Sequence, residues 1–260
     1  MATTASDKYA VPGLERGLRI LSEFTRETPT LGAPELARRL QVPRTTIFRL
    51  LVTLENLGYL ERVPGSHEFQ LGTAVLKLGF EYLASLSITE LGRPILERLR
   101  DDVGYSANLV IRDGRDLIYV QKAVSNSVFT SSVHIGTRLP AHATILGRTL
   151  LCRLSYAELQ ALYPEDRLQT YTPRTPATVA DLYVLLQADR ERGYILEDGF
   201  FEPNISTVSA PVLDAQGMVC AAVGITIPGT GIPDERRDTL VARVRAAATE
   251  LSRCLNYYQS

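Results

Sequence analysis

Four arginines stand close together in the N-terminal quarter of the chain. Residues 36–54 include Arg38, Arg39, Arg44 and Arg49, and no acidic residue interrupts them. Guanidinium groups bind phosphate oxygens and also pair bidentately with guanine in the DNA major groove. The chain as a whole is nearly neutral, with 28 basic and 29 acidic residues. The cluster therefore indicates a local nucleic-acid contact, although charge alone leaves a solvated helical face as the alternative.

Side chains suited to catalysis are sparse and scattered. The nearest group of acids is Glu197, Asp198 and Glu202, and carboxylates that are adjacent on a strand point to opposite faces. His142 has no acidic neighbour in sequence to orient its ring, as a catalytic base would require. An enzyme is therefore the disfavoured interpretation, and we expect no catalytic residue.

The chain also has few residues that could bind a metal or form disulfides. Cys152, Cys220 and Cys254 are far apart, and the chain has only three histidines. We therefore expect no zinc site, no disulfide framework and no cofactor. Residues 1–11 are polar, and no apolar run approaches the roughly 18 residues that a membrane-spanning helix needs. We expect a cytoplasmic protein.

Hydrophobic periodicity predicts the elements that would hold the arginine cluster. Apolar residues at helical spacing predict one helix over residues 14–24, and a Pro-Glu start predicts a second over residues 33–40. A third helix follows the break at residues 41–43 and ends near Gly58, a glycine suited to a helix C-cap. Residues 59–71 form two alternating segments around a Pro-Gly turn, which predicts a β-hairpin. Three helices followed by a hairpin are the winged-helix arrangement.

The second and third helices have the spacing of a helix-turn-helix. Ala37 is the small residue where the two helices cross, and Val42 fills the corner of the turn. Gln41 departs from the pattern, because this turn often has a glycine that adopts positive φ freely. Glutamine there costs about 1 kcal/mol but does not prevent the turn. The apolar residues that would fix the crossing angle are Leu36, Leu40, Ile47 and Leu50.

This arrangement would place the start of the third helix in the DNA major groove, where its first residues reach base edges. Arginine pairs with guanine, threonine contacts a thymine methyl group or a phosphate, and an arginine on the hairpin reaches a phosphate or the minor groove. A three-helix protein-interaction domain is the alternative. The predicted DNA-binding residues are Arg38, Pro43, Arg44, Thr45, Thr46, Arg49 and Arg62.

Strands and helices are mixed in the rest of the chain, which predicts an α+β fold class. We assign residues 1–12 to a flexible tail, 13–72 to the winged helix-turn-helix, 73–88 to a linker helix and 89–260 to a second, sensor-type domain. In that domain we predict strands at 106–111, 116–124, 128–135, 205–212 and 218–227, and helices at 89–103, 144–154, 156–163, 179–192 and 234–257.

Short sequence motifs in both parts of the chain, taken together, resemble a known pattern. They are Gly13-Leu14-Glu15-Arg16-Gly17-Leu18, Leu36-Ala37, Pro43-Arg44-Thr45-Thr46, Arg49-Leu50-Leu51, Leu57-Gly58-Tyr59-Leu60, Phe69-Gln70-Leu71-Gly72, the segment from Gly136 to Thr144, Gly147-Arg148, Arg192-Gly193-Tyr194, Ser209-Ala210-Pro211-Val212 and Ala221-Ala222-Val223. In this order and spacing they resemble the IclR family of bacterial regulators over nearly the whole chain. The resemblance implies a winged-helix domain, a linker helix and a GAF-like effector-binding domain.

The same resemblance implies how such a protein works. It implies homodimers or dimers of dimers on palindromic double-stranded DNA operators, with a small organic metabolite as effector and action as a repressor or activator. Carried over position by position, it implies an effector pocket lined by Val128, Ser131, Leu139, Ile145, Leu146, Glu197, Ile205, Thr207, Gly224 and Thr226.

Most of these pocket positions are apolar and three carry hydroxyls, a composition that suits a small ligand. Ile145 and Leu146 stand where the family often has small residues, which predicts a narrower pocket, and Glu197 stands where a shorter acid is common. The segment Gly136–Pro140 looks like that of regulators that respond to protocatechuate or 4-hydroxybenzoate. Backbone N–H groups where a helix begins near Thr144 would bind a carboxylate. A second domain that only oligomerises remains the alternative.

Overall fold

The computed structural model describes residues 10–85, 87–125, 133–229 and 231–258. The chain divides into two compact units, Met1–Ser85 and Leu86–Ser260.

The first unit contains the predicted three helices and hairpin. The hairpin strands pair antiparallel, and a two-residue strand that the sequence pattern is too short to reveal adds to the outer edge, giving the order β1-β3-β2. The elements are α1 (Pro12–Ser22), β1 (Leu31–Gly32), α2 (Ala33–Leu40), α3 (Arg44–Asn56), β2 (Leu60–Arg62), β3 (Glu68–Leu71) and α4 (Ala74–Ser85).

Residues of all three helices and of the sheet form the core of the first unit. Leu36 and Ile47 are fully buried, and Val42 and Leu50 pack against the same core, as the helix-turn-helix spacing predicted. Burial of large aliphatic and aromatic side chains stabilises this small unit and fixes the crossing of α2 and α3. The buried members are Ile20, Phe24, Leu31, Leu36, Leu40, Ile47, Leu51, Leu60 and Phe69.

Two backbone positions set the geometry around α3. Gln41 has φ 54° and ψ 40°, and it alone among the described non-glycine residues has positive φ, as predicted from its place in the turn. At the other end, Gly58 adopts φ 75° after the last residues of α3, and the Tyr59 N–H donates to the Leu54 carbonyl at 2.9 Å. A Cβ on Gly72 would lie 2.3 Å from the Gly58 carbonyl oxygen, so the wing closes onto this cap only with glycine there.

The second unit is built on a six-stranded antiparallel sheet with the order β6-β5-β4-β9-β8-β7. The short edge strands β6 and β7 are absent from the pattern-based prediction, and of the predicted strand at 128–135, residues 128–132 lie outside the described residues. The elements are α5 (Ser87–Val103), β4 (Ser106–Asp113), β5 (Asp116–Ala123), β6 (Arg138–Pro140), α6 (Ile145–Leu151), α7 (Tyr156–Leu162), α8 (Val179–Arg192), β7 (Ile195–Asp198), β8 (Ile205–Leu213), β9 (Val219–Pro228) and α9 (Asp234–Tyr258).

Helices cover both faces of this sheet. Leu109 on β4 faces α5 and α9, since a Cβ on Gly92 would lie 2.9 Å from the Leu109 Cδ2 atom. The next residue, Val110, packs instead with Leu146 of α6, because successive strand residues point to opposite faces. The centre of β4 is therefore buried on both sides, and its sequence shows an apolar run rather than strict alternation.

Candidate DNA-contacting helix and effector cavity

The start of α3 is fixed by the residue before it. Pro43 has φ −54°, and its carbonyl oxygen accepts hydrogen bonds from the N–H groups of Thr46 at 2.9 Å and Ile47 at 3.0 Å. Proline sets the backbone at this position because its ring restricts φ. Arg44 is therefore held as the first residue of α3, immediately after the turn at Gln41.

The surface of α3 opposite the core carries the predicted contact residues. Arg44, Thr45 and Arg49 are exposed, Thr46 is half-buried, and Ile47 is fully buried. Within the described part of the chain, neither Arg44 nor Arg49 has an acidic partner within ion-pair distance. The helix start thus presents two unneutralised guanidinium groups together with two hydroxyls.

The other two arginines predicted to contact DNA, Arg38 and Arg62, are paired with acids of the protein, as is Arg39 beside them. Arg38 donates to both carboxylate oxygens of Glu35, at 2.9 and 2.6 Å, and Arg39 donates to Glu35 at 2.8 Å. These hydrogen bonds, first that of Arg38, lower the pKa of Glu35 to about 2. Arg62 donates to Glu55 at 2.8 Å. The acids that flank the arginine-rich stretch therefore neutralise its edges and leave the charge concentrated on α3.

The second unit contains a small cavity of about 60 Å³ at the start of α6. Strands β5, β6, β8 and β9 and the loop after β7 contribute the other walls. Six of the predicted pocket residues line it, namely Leu139, Ile145, Leu146, Ile205, Thr207 and Thr226. Ile145 and Leu146 both contribute to its wall.

The four remaining predicted pocket residues are not among those that line this cavity. Val128 and Ser131 lie outside the described residues. Gly224 does not line the cavity; a Cβ there would lie 2.7 Å from the Leu146 Cδ2 atom, so this glycine makes room for Leu146 against β9. Glu197 points away into an ion-pair network.

That network is built around a fully buried arginine. Arg148 donates from Nε and Nη2 to the Asp189 carboxylate at 3.0 and 2.9 Å, and from Nη1 to Glu197 at 2.7 Å. Its guanidinium also lies 4.7 Å from the centre of the Phe200 ring, and Phe200 lines the cavity. A buried charge needs such partners, because unpaired it would lose its hydration without compensation. The network joins α6, α8 and β7 behind the cavity wall.

Six lining residues were missed by the sequence analysis: Tyr119, Val133, Thr144, Phe200, Phe201 and Glu202. The adjacent aromatic residues Phe200 and Phe201, which follow the turn at Gly199, are a sequence signal that could have indicated this loop. The Thr144 hydroxyl accepts from the Gly147 N–H at 3.2 Å and caps α6. Burial, and then the nearby Glu202 carboxylate, raise the pKa of Tyr119 above its usual value, so its phenol stays protonated.

The lining therefore defines the chemistry that the cavity offers. Aliphatic and aromatic walls surround three threonine hydroxyls, one phenol and one carboxylate, and the described lining residues include no lysine, arginine or histidine. Such a cavity suits a small, largely apolar molecule with a few oriented polar groups.

The acids considered as a catalytic cluster are separated in the structure. Glu197 is paired with Arg148, Asp198 lies 3.2 Å from Arg237, and Glu202 is at the cavity. The described residues contain no group of three or more histidine, cysteine or acidic side chains that could hold a metal ion. Burial raises the pKa of the Cys152 thiol to about 11, which keeps it in the unreactive thiol form.

An N-terminal winged helix-turn-helix followed by an α+β unit with a small cavity defines a class: DNA-binding transcriptional regulators with a C-terminal effector domain. The family comparison agrees in both units. Residues 80–253 match the model described as bacterial transcriptional regulator IclR C-terminal, and residues 13–64 match the IclR helix-turn-helix domain. The chain belongs to the IclR family, whose members are transcriptional regulators.

Relatives with names and structures support the same assignment. The chain is 29% identical to the HTH-type transcriptional regulator XynR of Escherichia coli (strain K12), covering 95% of this chain and 98% of that protein. It is 28% identical to the Pca regulon regulatory protein of Pseudomonas putida, covering 85% and 75%. A crystal structure of a regulator from Rhodococcus sp. RHA1 superposes with a TM-score of 0.84 at 34% identity, covering 96% of this chain and all of that one.

Among the described helices, none combines the length and the apolar character that crossing a bilayer requires.

Proposed function

We propose that this regulator binds a palindromic operator as a homodimer or a dimer of dimers, and that a small carboxylic or aromatic acid in the cavity changes that binding. The observation that carries the proposal is the pair of unneutralised arginines on the exposed start of α3, in a chain whose second unit has a cavity with aromatic walls. The first feature supplies DNA contact and the second supplies ligand recognition.

DNA contact is assigned to the predicted surface of the first unit. Arg44 and Arg49 supply guanine or phosphate contacts, and the hydroxyls of Thr45 and Thr46 lie beside them. Arg38 and Arg62 act at the edges, where Glu35 and Glu55 share their charge. Pro43 contributes by fixing the position of the helix start rather than through a polar side chain.

Self-association is supported by apolar side chains that the first unit leaves exposed. On α1, Leu14 and Leu18 are 63% and 56% exposed and one helical turn apart, and Val11, just before the helix, is 62% exposed. On α4, Leu76 is 57% exposed. A monomeric soluble protein seldom leaves such a row uncovered, and a two-fold partner buries the same patch on both copies. A palindromic operator matches that symmetry.

The acid effector is supported by the residues that line the cavity. The rings of Phe200, Phe201 and Tyr119 provide walls for an aromatic ring, and the hydroxyls of Thr207 and Thr226 provide polar contacts. Ile145 and Leu146 begin α6 and line the cavity, and we assign their backbone N–H groups as the donors for a carboxylate, since the Gly147 N–H is already bonded to Thr144.

Two measurements on the full-length protein test this proposal. DNA selected from a random pool gives the operator, and a thermal-shift screen of small metabolites, including 4-hydroxybenzoate and protocatechuate, identifies the effector. We expect at least one organic acid to raise the melting temperature and to change operator affinity in a fluorescence-anisotropy titration. A protein that selects an operator but responds to none of the acids would overturn the effector assignment alone.

A further inference from the structure

One large apolar side chain stands among the polar groups of α3. Phe48 is 52% exposed and does not belong to the core of the first unit. It follows Arg44 by four residues and Thr45 by three, a spacing that places the three side chains on one side of the helix. The buried residues of α3, Ile47 and Leu51, face the core instead.

The surroundings of Phe48 differ from those of the other exposed apolar residues. On α1, Leu14 and Leu18 form a row with one another, which suits contact with a like surface. Phe48 lies between the exposed Arg44 and Arg49, and both guanidinium groups lack an acidic partner among the described residues. An exposed phenylalanine ring with an arginine on each side would fit a negatively charged surface that also displays a single apolar group.

The DNA major groove is such a surface. Phosphates line its edges, and the thymine 5-methyl is the one apolar group that a base displays there, a group that phenylalanine contacts in known modes of recognition. Phe48 is the fifth residue of α3, within the N-terminal part of the helix that reaches base edges. We propose that Phe48 is a specificity-determining residue that packs against a thymine methyl group in each half-site. This proposal rests on the operator binding proposed above.

The test uses a substitution that removes only that methyl group. Full-length wild-type protein first selects its operator from random-sequence DNA, and each thymine of the selected site is then replaced by uracil. Fluorescence anisotropy is expected to show one thymine per half-site whose replacement weakens wild-type binding about three- to tenfold, the effect of losing one buried methyl contact on each side. Phe48→Ala is expected to bind the thymine and uracil sites equally at that position.

Matched variants separate this contact from a general loss of binding. Leu57→Ala removes another exposed side chain, 60% exposed beyond the end of α3, and should keep the full preference for thymine. If Phe48→Ala binds too weakly to measure, Phe48→Leu should retain the preference and Phe48→Gln should lose it. Melting temperatures within a degree or two of wild type are expected, because Phe48 is outside the core.

The outcomes distinguish two failures. If the wild-type protein enriches no DNA sequence, the proposed operator binding itself is wrong. If it enriches an operator in which no thymine is sensitive to uracil, or if Phe48→Ala and Phe48→Gln discriminate as well as wild type, operator binding stands and the role of Phe48 is overturned.

Discussion

At the scale of single residues, the exposed Arg44 and Arg49 supply the positive charge of α3, and the Glu202 carboxylate supplies the negative charge of the cavity. The exposed arginines of α3 and six cavity residues lie where the pattern and the resemblance put them. The pairing of Arg38 with Glu35 and of Glu197 with Arg148 was not predicted, because it depends on side-chain directions that residue types alone do not give. Phe201 and Glu202 were missed because a loop, rather than a periodic element, brings them to the cavity.

The Glu202 carboxylate sets one expectation for ligand binding. It lines the cavity, where the described residues include no cation to balance it, so it repels a bound carboxylate. Replacing it in Glu202→Gln should tighten the binding of an acid effector by about fivefold, which corresponds to roughly 1 kcal/mol of like-charge repulsion. Isothermal titration calorimetry with the acid found in the screen measures this change.

Glu165 offers the control for that experiment, since it is an exposed acid paired with Arg115 outside the cavity. Glu165→Gln should leave effector affinity unchanged. Weaker binding to Glu202→Gln would mean that the carboxylate accepts a hydrogen bond from the ligand, and the effector would then carry a donor group rather than a negative charge at that point.

The buried Arg148 network predicts an effect on stability. Arg148→Met keeps the bulk of the side chain but leaves Asp189, which is 2% exposed, without its bidentate partner. The expected loss in the free energy of unfolding is about 3–5 kcal/mol, because the buried Asp189 carboxylate keeps only the half-exposed Arg192 as a charged partner. Urea titration followed by circular dichroism measures it.

Arg192 pairs with the same carboxylate from a side chain that is 45% exposed. Arg192→Met should therefore cost about 1 kcal/mol or less, since solvent screens the pair. Equal losses for the two variants would contradict the assignment of Arg148 as the residue that holds α6, α8 and β7 together.

At the scale of elements, long periodic segments were predicted well and short ones were not. Helices α2 and α8 begin and end where capping residues and spacing indicated, at Ala33–Leu40 and Val179–Arg192. Strands β1 and β6 have two and three residues, too few for a period-two pattern to be recognised. Such strands form because neighbouring strands offer unpaired backbone groups, which is a property of the tertiary fold.

The turn between α2 and α3 carries a measurable strain. Gln41 has φ 54°, a conformation that glycine adopts without the Cβ clash. Gln41→Gly should therefore raise the free energy of unfolding of the first unit by about 0.5–1 kcal/mol. Differential scanning calorimetry should show the melting temperature rise by a few degrees.

At Gly58 the substitution runs in the opposite direction, because this position in the cap of α3 has φ 75° and already carries glycine. Gly58→Ala should destabilise the unit by about 1 kcal/mol. Destabilisation by Gln41→Gly would show that the glutamine side chain contributes more than its backbone conformation costs.

At the scale of the whole molecule, two units of different chemistry are joined in one chain. The last helix of the first unit, α4, ends at Ser85, and the first helix of the second unit, α5, begins at Ser87. Suppose that the second unit has two arrangements and that a dimer binds the operator with different affinity in each. An effector can then change operator affinity at most by the ratio of its own affinities for the two arrangements. The sequence analysis predicted a first domain at residues 13–72 and a second at 89–260, with a linker helix between them. The identity of the effector and the sign of its action depend on details of the cavity that sequence patterns do not give.

The exposed row on α1 predicts the oligomeric state. The double variant Leu14→Asp, Leu18→Asp places charges where we expect a second copy to bury both side chains. Wild-type protein should sediment as a dimer or larger, and the double variant as a monomer with weaker operator binding. Val184→Asp, at a residue on α8 that is 64% exposed, is the matched control and should not change the sedimenting mass. A double variant of unchanged mass would contradict the proposed interface.

The central claim is that the start of α3 reads operator DNA, and fluorescence anisotropy with the selected operator tests it most directly. Arg44→Ala should weaken specific binding about tenfold or more and reduce the slope of log affinity against log salt by about one per bound helix. Arg253→Ala, which removes an exposed arginine from α9, should bind as the wild type does. Unchanged affinity and specificity in Arg44→Ala, or an equal loss in Arg253→Ala, would contradict the account.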